Sequence, residues 1–439
     1  MRLWTAQTFS AFGSRITRTA LPVIAVATLG VPEGMMGVMA AAQFAPGVLI
    51  AMFAGGFIDR CSKRRILIGA DLARVALVAS LPIAWWFGAL SLLQLALVGA
   101  GVGAATALFM ITDNAYLPAL ISKPQLEEGN AKLETTDAIA EIAGPAAAGS
   151  LIAALGAPLA VVVDAVSYLW SALWLVQIRE PQRRDSAAAI APATGPNGVA
   201  EPLDPQMERT SERSEQDPSP RKPLRPPALA DLRFGLRTIF NHPQVKWLVL
   251  AHMVWSISGG FFMTLYAMYC LRILHLSTTL LGIVIAFGGI GALLGALLSR
   301  GLKRRFGIGP TLVVASTLSL LVAILMPLAA TTSHLTMLVL LVTHQVASDG
   351  FAVAYVVQAV TLRQTVLPAD VLGRCNAAIH VCTNGIVPIA ALTAGLLAQL
   401  VGITIAVWVG VLVGFIAPLF LLPLWRLRAL PTGVAADLR

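Results

Sequence analysis

The residues of this 439-residue chain best placed to do chemistry are charged side chains set inside long apolar runs. Arg15 lies about twelve residues into the first run, ~18 Å deep in a helix rising ~1.5 Å per residue. Arg18 follows three residues on, on the same face. A cation at the bilayer centre costs roughly 2.5–3.5 kcal/mol, so each needs a counter-charge or an anionic ligand. Glu141, Asp164 and Asp349 are the available acids. Asp349 follows His344 and Gln345 by about one helical turn. A carboxylate there can load and release a proton, or can simply neutralise an arginine; both readings stand. Glu141 reads the same way. Asp164, and Asp71 with Arg74, read as structural. His380 reads as a packed polar residue, and so does His344 before it reads as a proton carrier beside Asp349.

The elements that must position these residues follow from composition. The chain is 57% hydrophobic and only 12% charged, against about 25% charged in soluble domains. A soluble core cannot absorb that much apolar surface; a bilayer can. Apolar runs of about twenty residues, each enough to cross the hydrocarbon as a helix, number six before residue 180 and six after residue 246. The second is expected at Met35–Ile58, the fourth at Leu90–Thr112 and the eighth at Thr279–Leu298. The class is therefore an all-α membrane protein with twelve transmembrane helices. The first span is expected to act as its own insertion signal, since no cleavage site follows it.

Cations orient the spans. With Arg15, Arg18 and Arg74 set aside inside helices, every Lys and Arg except Arg272 falls on the side of the N-terminus, which is thereby expected to be cytoplasmic. Membrane orientation thus accounts for the formal charge of +9, and a nucleic-acid role loses its main support. Residues 1–178 are expected to form one bundle and 246–429 another, with a cytoplasmic tail at 430–439. Between the bundles, 179–245 is rich in Pro, Ser and mixed charge and is expected to be largely disordered. Its end, Leu229–Phe240, has apolar residues at helical spacing with Arg233 and Arg237 four apart. That fits an amphipathic helix on the inner membrane surface or a plain lead-in to the seventh span.

Several motifs are missing. There is no GxxxxGK[ST], no HExxH, no Cys/His cluster at zinc spacing and no GxSxG. No cofactor, metal or enzymatic activity is expected. Cys61, Cys270, Cys375 and Cys382 read as packing residues.

An internal repeat points to two related halves. Gly55, Arg60, Lys63 and Arg64 recur as Gly295, Arg300, Lys303 and Arg304, each 240 residues later. Asn130-Ala131 and Gly156 recur as Asn376-Ala377 and Gly402, each 246 residues later. Asp59 breaks the pattern, with Ser299 as its counterpart.

The first copy, GGFIDRCSKRRIL over Gly55–Leu67, resembles the loop between the second and third spans of the major facilitator superfamily of secondary transporters. Gly55, Asp59, Arg60, Lys63 and Arg64 match that family's pattern, and Ser62 stands where it often has glycine. The resemblance implies two pseudo-symmetric six-helix bundles rocking about a midplane site. It also implies that Asp59 contacts the N-terminus of the eleventh span in the outward-facing state. Arg60 and Arg64 would then join a cytoplasmic charge network, a latch with two settings. Gly144-Pro145 followed by Gly149 is similar in part to the antiporter motif in the fifth span of facilitator drug exporters.

TRTALPVIAV, DNAYLPAL, LEEGNAKLE and VLGRCNAA together resemble the macrolide-efflux and enterobactin-exporter branch. That resemblance implies proton-driven export of a bulky hydrophobic compound, by a monomeric multi-pass protein of the inner cell membrane. The expected cavity residues are Arg15, Arg18, Met263, Tyr266, Gln345 and Asp349. Phe261, Phe262 and Tyr269 suit a pliable apolar pocket or the protein core equally.

Overall fold

The computed structural model describes residues 2–120, 136, 139–140, 144, 147–178 and 228–427, with the backbone alone for 2–3, 51–60, 114–115, 117–120, 228–229 and 369–370. The linker, the tail, Glu141 and Pro145 lie outside the described residues. Every regular element among those described is helical.

Helix α1 spans Arg2–Val23 and continues as a π turn over Ile24–Thr28. Next come α2 (Glu33–Arg60), α3 (Lys63–Trp86) and α4 (Leu92–Leu120), then α5 over 147–155 and α6 over Ala157–Val176. After α7 (Ala228–Asn241), the second half holds α8 (Val245–Ile273), α9 (Thr278–Phe306), α10 (Ile308–Ala329) and α11 (His334–Val366). It ends with α12 (Ala369–Gly385), α13 (Val387–Val401) and α14 (Ile403–Leu424). Ten of these spans are long and apolar enough to cross a membrane. With α1 and α5, and with α12 and α13 taken as one broken span, they accommodate the twelve expected.

Three boundaries differ from expectation, each for a local reason. Helix α4 runs past Thr112, so DNAYLPAL belongs to a helix rather than to the loop after it. The two copies of the basic repeat also fold differently. In the first, α2 ends at Arg60 and Ser62 caps α3, its hydroxyl accepting from the Arg65 amide. In the second, the counterpart of Ser62 is Leu302, which cannot cap. Helix α9 therefore continues through Arg300, Lys303 and Arg304 to Gly307, whose φ of 87° ends it. Gly156 and Gly402, the other repeat pair, have φ of 81° and 92° at matching turns, where a Cβ would be strained.

The helices alternate direction, so the molecule has two ends. The basic end carries Lys63, Arg64, Lys303, Arg304 and Arg374; the far end carries Glu33 and Arg272. At the far end one apolar core includes side chains of both halves, among them Leu21, Met36 and Met39 with Leu265, Met268 and Leu281. Toward the basic end the core divides. Leu67, Phe109, Tyr116 and Leu175 form one in the first half, and Ile239, Leu312, Tyr355 and Leu421 another in the second. Among the described residues, the halves are fused at one end and separately cored at the other.

Helix α7 covers the stretch Leu229–Phe240 and docks on α12. Its Ile239 is buried, Gly235 abuts the Arg374 carbonyl, and Arg374 lies 4.1 Å over the Phe234 ring and 4.0 Å from Asp231. The turn into α8 is held by His242, whose Nδ1 accepts from the Gln244 and Val245 amides at 3.3 and 3.4 Å. Burial lowers the pKa of His242, which keeps that nitrogen unprotonated and able to accept.

Candidate functional site

The contacts between halves are built from glycine. Any Cβ on Gly37 of α2 would lie 2.6 Å from the Ala391 carbonyl and 3.0 Å from Gly395 Cα, both on α13. A Cβ on Gly395 would stand 2.7 Å from Gly37 Cα and 3.0 Å from the Glu33 carbonyl. A Cβ on Gly149 of α5 would lie 2.8 Å from Gly282 Cα and 2.9 Å from the Thr278 carbonyl, both on α9. Such backbone-to-backbone approach is how helices associate in lipid, where apolar side chains gain nothing by leaving it. Over these contacts lies Arg272, the one cation expected on this side. It bonds Glu33 at 3.1 Å and the Val31 carbonyl at 2.9 Å. Both charged side chains are more than a quarter exposed, so the pair is worth about 1 kcal/mol or less. That is a light clamp, suited to opening. Sequence reading missed this group, although a lone cation on a side otherwise free of them was a usable signal.

The expected cavity residues fall into two sets. On α11, Gln345 donates to Asp349 at 3.4 Å, and both side chains fill the space left by Gly288 of α9. Tyr266 of α8 lies within electrostatic reach of Asp349. Buried His344 stacks on Phe262 of α8 at 5.9 Å. Met263 is half-exposed. Phe261 and Tyr269, read as possible pocket walls, are core residues instead, with the Tyr269 hydroxyl donating toward the carbonyls of Met326 and Pro327. The first half contributes α1. Its Arg15 packs on Gly144, three residues before α5, where a Cβ would lie 2.5 Å from that of Arg15, and its Arg18 is exposed. Both glycines of the fifth-span motif are thus close-approach points, Gly144 within the half and Gly149 between halves.

The latch residues divide as well. Gly55, Asp59 and Arg60 lie in the last turns of α2, with their side chains outside the described set. Arg64 in the first turn of α3 donates to the carbonyls of Leu175 and Val176, which ties the basic end of α3 to α6. Gly295 faces the backbone of Gly350 on α11, and the Ser299 carbonyl accepts from Gln358 at 3.0 Å. In the second half these two positions therefore serve packing of α9 on α11. No group of three or more His, Cys, Asp and Glu able to hold a metal occurs among the described residues.

The profile of the Major Facilitator Superfamily matches residues 3–384. The chain belongs to the Major Facilitator Superfamily. Among curated facilitators, it is 29% identical over 156 residues to the multidrug efflux pump Tap of Mycobacterium tuberculosis, covering 34% of this chain and 37% of Tap. It is 26% identical over 175 residues to an uncharacterised facilitator-type transporter of Sinorhizobium fredii, covering 40% and 43%. The chain thus spans less than half the length of the curated relatives it matches.

Solved structures match it along nearly its whole length. A bacterial homologue of the iron transporter ferroportin in the inward-facing state has a TM-score of 0.71 at 16% identity, covering 97% of this chain and 98% of that one. The outward-facing state of a bacterial ferroportin homologue has a TM-score of 0.56 at 17% identity, covering 96% and 98%. A bacterial homologue of the lysosomal transporter Spinster, inward-facing, has a TM-score of 0.64 at 16% identity, covering 97% and 96%. The far-end glycines lie where helices of the two halves meet, whereas the Asp349 group is built from α8, α9 and α11 of the second half. The chain is a multi-pass membrane transporter, and an enzymatic reading has no support.

Proposed function

We propose that this facilitator exports hydrophobic or amphipathic small molecules in exchange for protons, by alternating access. The observation that carries the reading is the single core shared at the far end, set against the two separate cores at the basic end. That arrangement suits two bundles that rock apart at one end while closing at the other. The bias of Lys and Arg supports a cytoplasmic basic end, termini and linker, which makes this state the inward-facing one. The partial similarity to the Tap pump supports drug-like cargo and export. Residues 1–178 and 246–429 act as the two bundles of a monomer. In the opposite state Asp59 closes the cytoplasmic latch with Arg60 and Arg64.

Protons enter the cycle at the Asp349 group. Gln345 donates to the carboxyl and Tyr266 lies within its electrostatic reach; the cargo site of this reading would add Met263 and, from α1, Arg15 and Arg18. Glu141 and His344 are further proton-coupling candidates. A second reading, a dedicated exporter of one organic anion or siderophore, is favoured by Arg15 and Arg18, which would pair with an acidic cargo.

Proteoliposomes with an imposed pH gradient test the proposal with a panel of apolar drugs, organic anions and siderophores. The wild type is expected to move at least one cargo uphill and to stop when the gradient is collapsed. Uphill movement that persists after collapse would overturn proton antiport. Asp349→Asn is expected to lose uphill transport while retaining exchange, and normal uphill transport in that variant would remove Asp349 from the coupling path.

A further inference from the structure

Deep in the first half lies a polar cluster that the export pathway does not use. Asp71 and Asp164 are fully buried and Arg74 is 3% exposed. Arg74 bonds Asp71 one turn away on α3, and its guanidinium is held between the Phe109 and Tyr168 rings at 4.5 and 4.2 Å. Two carboxyls therefore share one cation in a site without water contact. If both were ionised the cluster would carry an uncompensated negative charge inside the membrane, which costs several kcal/mol. One proton cancels it.

Geometry indicates which carboxyl takes that proton. Asp71 is paired directly with Arg74. Asp164, on α6, has neutral partners: the Ser167 hydroxyl donates to it at 3.1 Å, and the hydroxyls of Thr17 and Tyr168 lie beside it. Its Oδ2 closes no hydrogen bond among the described residues, nor does Thr17 Oγ1. A protonated carboxyl needs only such neutral partners. Among the described residues, the charged and titratable groups that face Asp164 are few. Helix α3 contributes Arg74 with its Asp71, and α6 contributes Tyr168, whose hydroxyl shares a 3.0 Å hydrogen bond with Ser14 of α1. From α1 itself the facing residues are Gly13, Ser14 and Thr17; Arg15 packs on Gly144 and Arg18 is exposed.

Helix α1 closes the site. A Cβ on Gly13 would overlap Ser167 Oγ and lie 2.5 Å from Asp164 Oδ1, so only glycine lets α1 settle onto the carboxyl. The same helix presents Arg15 and Arg18 elsewhere. A shift of α1 that moves those arginines therefore also uncovers Asp164.

We propose that Asp164 is a second proton-binding site of the transporter, sealed while α1 rests on α6 and opened when α1 moves. Proton exchange there is thereby tied to the helix that carries Arg15 and Arg18. The coupling half of this inference rests on the export reading; the protonated carboxyl does not.

Infrared spectroscopy of the full chain in proteoliposomes at neutral pH tests it, through the carbonyl stretch of protonated carboxylic acids. The wild type is expected to show a band that Asp164→Asn removes and that Asp349→Asn leaves in place; in Asp71→Asn, where Asp164 alone faces Arg74, the band is expected to be lost as well. Gly13→Ala, which lifts α1, is expected to keep the fold and make the band titrate with the bulk. No band in the wild type, or a band untouched by Asp164→Asn, would overturn the site. So would a band equally sealed in Gly13→Ala. A sealed band in a protein that a pH gradient fails to drive would leave the site standing and remove the antiport reading. Gradient-driven transport with no such band would do the reverse.

Discussion

Replacing Gly37 with leucine is expected to hold the far end open and abolish transport, while leaving the protein folded. The reason is steric and local to the interface between halves. Gly37 and Gly395 approach so closely that the first carbon of any side chain would sit 2.6 Å from a backbone carbonyl of the opposite half. Backbone atoms cannot rotate aside as a flexible side chain can, so the cost of closing falls on the whole α2–α13 contact. Forced overpacking typically costs about 1–3 kcal/mol, which is larger than the ~1 kcal/mol or less that an exposed pair such as Glu33–Arg272 supplies. The balance therefore moves to the far-end-open state. Thiol labelling of single cysteines at the far end should rise in Gly37→Leu. Accessibility equal to wild type, with transport intact, would show that this contact is not the gate. Arg272→Gln is the milder form of the same change: it removes the clamp but not the fit, and should bias the equilibrium without locking it.

Arg74→Met is expected to destabilise the first half by about 3–5 kcal/mol, the usual cost of removing one partner of a buried ion pair. Its guanidinium lies between two aromatic faces and bonds a fully buried carboxyl, so no water can replace it. Adding Asp71→Leu should recover much of the loss, because an apolar pair of similar volume carries no desolvation penalty. Thermal unfolding of the detergent-solubilised proteins checks both. An Arg74→Met protein that unfolds with the wild type would mean that Asp71 is already neutral. The negative charge assigned to Asp71 would then be wrong.

Spans were legible because a bilayer imposes one length and one polarity on each of them. Helix ends at the basic end were less so. Cations stop no helix; caps do, and Ser62 against Leu302 is a difference of one residue that separates a turn from a continued helix. Gly295 matched the repeat in sequence and Ser299 stood in the place of Asp59, yet in the structure both pack against α11. Pairings across the halves were illegible for another reason. A glycine in an apolar helix announces a close approach without naming the neighbour, so Gly149 was noticed while its partner Gly282 was not. Asp71 and Arg74 could be paired from their spacing, but nothing along the chain shows that Asp164 joins them. Tyr269 and Phe261 were ambiguous between core and cavity because both environments favour the same residue types.

The central claim is that two bundles, fused here at the far end, exchange that closure for closure at the basic end. Distances between spin labels at Ala89 and Ala330, exposed positions in far-end turns of the two halves, test it most directly in a protein freed of its four cysteines. Two populations are predicted. The shorter should match the present structure, and the longer should gain as protons or cargo are added and should dominate in Gly37→Leu. One short distance under every condition, in the wild type and in that variant alike, would contradict alternating access as described.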